Sequence, residues 1–299
     1  MRGARALWLS WLLLAPIAGA ASAQPAVWTV HGPHATLVLF GSIHLLPAGL
    51  DWEPPNLTSA IAHADEIWFE LPVDAATDSE AQTLAAERGT LPKGDTLFSH
   101  LTQDEAARLR KACASLGVPP ALLGPMRPWL AEMALSIAQD MRSGAQASQG
   151  VERQISDQAP ATARRRAFET VAQQVSFLAD ARDADQVSSL DETLSEIADD
   201  PGLFDRLLKA WMAGDQAALS KEVLDPMSRT SPDMYRRLIT DRNQRWAATL
   251  SERLKGDGVI VVVVGAGHLL GPGGVPALLR ARGYAVEGPG QPAQGHTAH

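Results

Sequence analysis

Two histidines in this sequence follow long apolar runs through the same short spacer. Residues 37–46 read LVLFGSIHLL and residues 261–270 read VVVVGAGHLL, so Gly41 leads to His44 and Gly265 to His268 in paired G-x-x-H-L-L units. A carboxylate, Glu70, ends the run EIWFE at 66–70 in a similar way. Two imidazoles and a carboxylate can hold a divalent transition metal with positions left open for water and substrate. The same groups can serve as general base and acid without a metal. Taken singly, a histidine or glutamate after a strand is an ordinary solvated turn residue; repetition of one handover at two distant places favours a shared site. In TDRNQRWAATL, 240–250, Arg242 and Trp246 fall on one helical face and Asp241 and Arg245 on another. A surface helix with an Asp–Arg pair is the plain reading. The functional one has Arg242 or Asn243 reach a crevice, where a guanidinium holds a substrate carboxylate or stabilises an oxyanion.

These groups can meet only if particular elements carry them. VWTV and ATLVLFGS, separated by HGPH with its Gly32-Pro33 turn, predict a hairpin from Val27. A short helix is expected over 56–64, then the strand EIWFELP stopped by Pro72. Residues 102–255 are mostly helical: Thr102 and Glu105 form a capping box, Gly117 ends that helix, and 125–141 is amphipathic. SGAQASQG at 143–150 is expected to be a flexible linker, and RRAFE at 165–169 a strand among the helices. The valine run lacks the period-2 alternation of a half-exposed strand, as expected for a central strand covered on both faces. A last helix over 275–282 and the strand YAVE close the pattern. Strands at both ends and helices between them imply a mixed α/β fold, with one central sheet built from N- and C-terminal strands and a large helical middle section. Open sheets of this kind bind ligands beyond the carboxyl ends of their strands, which is where His44, Glu70 and His268 fall, with the glycines expected to turn the backbone sharply.

The N-terminus carries Arg2 and Arg5, an apolar stretch from Leu7 to Ala15, and Ala21-Ser22-Ala23, the three regions of a secretory signal. Its apolar stretch is far short of the roughly 20 residues a membrane span requires, so cleavage after Ala23 is expected over retention as an anchor. The expected organisation is a signal over 1–23, one domain over 24–290 with a helix-rich insertion at about 95–255, and a disordered tail over 291–299. The single cysteine, Cys113, excludes an intramolecular disulfide and is expected in the core. The net charge of −8, without a basic stripe, argues against nucleic acid as a partner. Gly265-Ala-Gly267 after a buried strand opens like a dinucleotide fingerprint, but its third glycine is misplaced at Gly271 and Pro272-Gly273-Gly274 would break the phosphate-facing helix. No nucleotide cofactor is expected.

In order and spacing, FGSIHLLP (40–47), IWFELP (67–72), FETVAQQ (168–174), DRNQRW (241–246) and VVVVGAGHLLGPGGVPALLRARGYAV (261–286) resemble the TraB/GumN family. That family includes the Tiki proteases and groups with erythromycin-esterase-like and ChaN-like folds. By position, the resemblance implies a site of His44, Glu70, Arg242 and His268, with Glu169, Gln174 and Asn243 around it. Tiki-type members resemble manganese- or cobalt-dependent proteases. The chain departs from the pattern at Gly150-Val151-Glu152, where members often carry Gly-hydrophobic-Asp. The resulting expectation is an exported, periplasmic or secreted bacterial hydrolase acting on a peptide or small molecule. Its water would be activated by a metal on His44, Glu70 and His268, with Arg242 holding substrate and Glu169 shuttling a proton. A metal-free hydrolase with a histidine base and a non-catalytic binder of peptide or glycan are the alternatives.

Overall fold

The computed structural model describes residues 24–290. The expected signal and tail lie outside them. Among the described residues eight strands, β1 (Val27–His31), β2 (His34–Ser42), β3 (Leu46–Pro47), β4 (Glu66–Phe69), β5 (Ala145–Gln146), β6 (Arg164–Ala167), β7 (Asp257–Gly265) and β8 (Ala285–Glu287), form two sheets. The main sheet has the order β6-β4-β7-β2-β1-β8. Its first four strands run parallel, while β1 is antiparallel to both β2 and β8. The fold is therefore mixed α/β, with the sheet assembled from both ends of the chain.

Alternate residues of the valine strand feed two cores. Val261 and Val263 join Phe40, Phe69 and Trp211 on one face, whereas Ile260, Val262 and Val264 join Leu39, Trp246 and Leu250 on the other. Burial on both sides is why β7 needs no polar alternation. A third core, with Leu109, Cys113, Leu135 and Leu194, binds the helices Gln103–Leu116, Pro128–Arg142 and Asp183–Asp199 to one another. The predicted capping box at Thr102 forms, with both reciprocal bonds to Glu105, and Gly117 ends the helix in the left-handed region at φ 72°.

One expectation about local structure is corrected, and one helix is added. The segment 143–150 is no loose linker: β5 pairs with β3, and the Val151 amide donates to the Ile43 carbonyl at 3.1 Å. Gly150 packs closely against the His44 loop, while Gly144 turns the chain at φ 90°. The helix Ala75–Gly89, unassigned from the sequence, starts on Asp74, whose side chain accepts from the Thr77 amide at 2.8 Å. Its weak apolar periodicity hid it.

Candidate active site

The carboxyl ends of the four parallel strands deliver the side chains. Register pairs Ser42 with Gly265, Phe69 with Val263 and Phe69 with Ala167, so the residues that follow emerge at one edge of the sheet. Beyond β2 lies His44, beyond β4 Glu70, beyond β6 Glu169, and beyond β7 the short turn Ala266–Leu269 with His268. Thr170, next after Glu169, caps the helix Val171–Ala179 and fixes Gln174 one turn in. The helix Asp241–Arg253 brings Arg242 and Asn243.

The two glycines act differently from expectation. Gly41 and Gly265 are not among the glycines with positive φ; Gly265 has φ −48° and ψ 136°, which other residues adopt. Their contribution is room. A Cβ on Gly41 would stand 2.9 Å from the Cα of Ala266, and one on Gly265 would stand 3.2 Å from Glu70 Oε1.

Arg242 is the hub. Its Nε donates to Glu169 Oε1 at 2.9 Å, and Nη2 donates to Glu169 Oε2 at 2.8 Å and Glu70 Oε2 at 2.5 Å. Nη1 donates to the Leu238 carbonyl and to His268 Nε2, both at 3.1 Å. Leu238 belongs to a π-helical turn, Arg236–Thr240, immediately before the arginine; such turns present backbone groups that an α-helix would engage internally. All five guanidinium N–H groups are thereby used, and the side chain is buried. A contact to substrate would require one of these bonds to break. Asp241 pairs with Arg236 at 2.7 Å, so the Asp241–Arg245 pairing considered from helical spacing is replaced.

His268 is 4 % exposed and packs on Trp246 with ring centres 4.4 Å apart. Asn243 Nδ2 donates to the Gly273 carbonyl at 2.8 Å, which orients Oδ1 toward His268 Nδ1 at 2.6 Å. The proton therefore sits on Nδ1 and the lone pair on Nε2. Burial, reinforced by Arg242 and outweighing the pull of Glu70, holds this imidazole down to about 4, so it is neutral at pH 7. Burial opposes ionisation of Glu70, but His268 when protonated, Arg242, His44 and the Gly265 amide, which donates at 2.7 Å, bring the carboxyl down to about 2. Gln174 Nε2 bridges Glu70 and Glu169 at 3.2 and 3.1 Å.

His44 lies apart from this cluster, its side chain 66 % exposed. Its Nδ1 is 2.7 Å from Glu152 Oε1, which also accepts from Ser42 Oγ at 2.5 Å. The Glu152 carboxylate raises the His44 pKa above the ordinary imidazole value, while solvent at the exposed edge screens the pair. In the sequence Glu152 stands out only as a departure from the family pattern; 108 residues from His44 in the chain, it carries no local signal. The two groups meet across a cavity of about 280 Å³ that His44, Glu70, Glu152, Arg153, Asp78 and Gln174 help line. Arg153, unassigned from the sequence, holds Asp78 there at 2.8 Å.

By residue type the two histidines and Glu70 are donors a divalent metal could use. Each imidazole ties its Nδ1 to an oxygen acceptor and keeps Nε2 for other use, as metal-ligating histidines do. In the arrangement seen, however, Arg242 covers both His268 Nε2 and Glu70 Oε2. Among the described residues no three His, Cys, Asp or Glu side chains are grouped to hold an ion. As arranged, the donors fit the guanidinium rather than a metal.

A mixed sheet whose four parallel strands carry a buried arginine–carboxylate–histidine cluster at their carboxyl ends defines the class, an open α/β protein with a site at the strand ends. The model of the TraB/PrgY/gumN family matches residues 26–288, and the chain belongs to that family. It is 25 % identical over 243 residues to the uncharacterised protein YbaP of Escherichia coli K12, covering 81 % of this chain and 87 % of the relative, and equally to YbaP of Shigella flexneri. No solved structure matches.

Proposed function

We propose that this protein is an exported hydrolase of neutral amide or ester bonds whose general base is His44, held and strengthened by Glu152. The observation that carries this reading is the 2.7 Å contact between His44 Nδ1 and Glu152 at the mouth of the cavity. With Nδ1–H donated to Glu152, Nε2 takes a proton from a water as its oxygen attacks the scissile carbonyl. The imidazolium, stabilised by Glu152, returns that proton to the leaving group as the carbon–nitrogen or carbon–oxygen bond breaks. Arg153, paired with Asp78 at 2.8 Å, is the guanidinium lining this cavity, and the oxyanion would have to share it with that carboxylate. Arg242, spent on Glu70, Glu169 and His268, positions those groups.

A second proposal keeps the metal: a manganese- or cobalt-type ion would be held by His44, Glu70 and His268 only in an arrangement with Arg242 moved off Glu70 and His268, and it would supply a Lewis acid and an activated water. The oxygen-tied Nδ1 of both imidazoles favours it. The deciding experiment measures turnover of neutral peptide and ester libraries by the chain from residue 24, by His44→Ala and by Glu152→Gln, before and after chelation. The base reading expects wild-type turnover to survive chelation and His44→Ala to lose roughly 10²- to 10⁴-fold. Turnover that is lost on chelation and restored by Mn²⁺ or Co²⁺ transfers the assignment to the metal. No turnover under any condition overturns both and leaves a binder of peptide or glycan.

A further inference from the structure

A second cavity, of about 210 Å³, lies against the far side of the same cluster. Leu71, Ala81 and Gln174 line both cavities, so the two adjoin at these residues, and Arg242 also lines the second. Its remaining walls are apolar: Ala85, Trp129, Met133, Val175, Leu178 and Phe177 come from three helices, Ala75–Gly89, Pro128–Arg142 and Val171–Ala179. Met133 is 36 % exposed, and Ile137 and Met141 continue its face outward along the helix at 40 % and 59 % exposure. Met133 thus carries the apolar lining of the cavity out to solvent at its mouth.

Charge narrows the ligand: the one cation in the lining, Arg242, has all its donors engaged, and two carboxylates share its charge. A carboxylate ligand finds no free partner there, and an ammonium would have to lie among apolar walls. An apolar cavity of 150 Å³ accepts benzene, so this one accommodates a ring with a methylene, or a leucyl side chain.

We infer that this cavity is a specificity subsite, receiving an apolar side chain of leucyl to phenylalanyl size from a neutral peptide or ester whose scissile carbonyl lies in the His44 cavity. The inference deepens the hydrolase reading and rests on it for the word substrate, but its binding prediction stands separately.

The test uses the His44→Ala protein, so that binding is read without turnover, in ligand-observed NMR titrations with N-acetyl-phenylalaninamide, N-acetyl-leucinamide and N-acetyl-glycinamide. Burying a side chain of this size is worth about 10- to 100-fold, which is the preference expected for the first two over the glycinamide. Adding Ala85→Leu fills the cavity and should abolish that preference while leaving glycinamide binding as it was. Should that variant lose its cooperative melting, Met133→Glu, at the exposed mouth, serves instead and is expected to turn the preference toward N-acetyl-lysinamide. Equal binding of leucinamide and glycinamide, or a preference that neither substitution moves, overturns the subsite. If the preference holds but wild type cleaves nothing, the subsite survives and the hydrolase reading fails. Cleavage by wild type with no selectivity for an apolar side chain does the reverse.

Discussion

Arg242 illustrates how one residue type decides a site. Its planar fork of donors divides between two carboxylates, a carbonyl and an imidazole, a task no other side chain can perform. Arg242→Met leaves Glu70 and Glu169 buried without their counter-charge and should cost about 3–5 kcal/mol in urea unfolding. Arg242→Lys, with a single ammonium, should recover only part of that loss, because it cannot meet both carboxylates and His268 at once. Glu152 acts on His44 by charge. Since the base must be neutral, the acid limb of the pH–rate profile should lie above the ordinary imidazole value of about 6.5. Glu152→Gln should move that limb to lower pH and lower the plateau, because a less basic imidazole accepts a proton less readily. An unmoved limb would remove His44 from the role of base. Both histidines and Glu70 were legible as candidates from their strand-end positions. Glu152 was not, because its partner is reached only through tertiary packing.

At the scale of elements, the loop after β2 is held by the segment once expected to be a linker. Gly150 lies so close to it that an added Cβ would overlap the His44 carbonyl oxygen, a backbone atom that cannot rotate away. Its backbone, φ −56° and ψ 143°, suits any residue, so Gly150→Ala isolates the effect of space from that of conformation. The substitution should cost about 1–3 kcal/mol, typical of overpacking, and should depress kcat more than its stability loss explains by displacing His44 from Glu152. A circular dichroism melt alongside the rate measurement separates the two. The capping box at Thr102 and the hairpin through Gly32 were readable because each is settled within a few residues. The helix Ala75–Gly89 escaped because its stability comes from packing on the helix Val171–Ala179 and from the Leu84 and Val171 cluster, not from a strong pattern of its own.

Across the whole molecule, the buried site ties stability to pH. His268 titrates near 4 when folded and near 6.5 when unfolded, so the unfolded chain binds its proton first as pH falls. Stability from this group is present above 6.5 and is lost between 6.5 and 4. Glu70, about 2 when folded against 4.5 when free, adds a further loss below 4.5. Glu132, pushed up to about 7 by burial against the helix Asp183–Asp199 despite its bond from Ser189, slopes oppositely between 4.5 and 7. Comparing wild type with His268→Gln cancels that opposing slope. The melting temperature of wild type should fall more steeply from pH 6.5 to 4 than that of the variant, and parallel curves would show that His268 is not held neutral.

By itself the sequence determined the strand-end histidines and glutamate, the doubly buried valine strand, the helical middle and the family. Each follows from local spacing, periodicity or short motifs. Only the tertiary structure decided that β4 lies between β6 and β7, that Arg242 sits between Glu70 and Glu169, that Glu152 reaches His44, and that the glycines provide room rather than turns. Those contacts join residues scores of positions apart, and their distances depend on sheet register and helix packing, which no local pattern encodes.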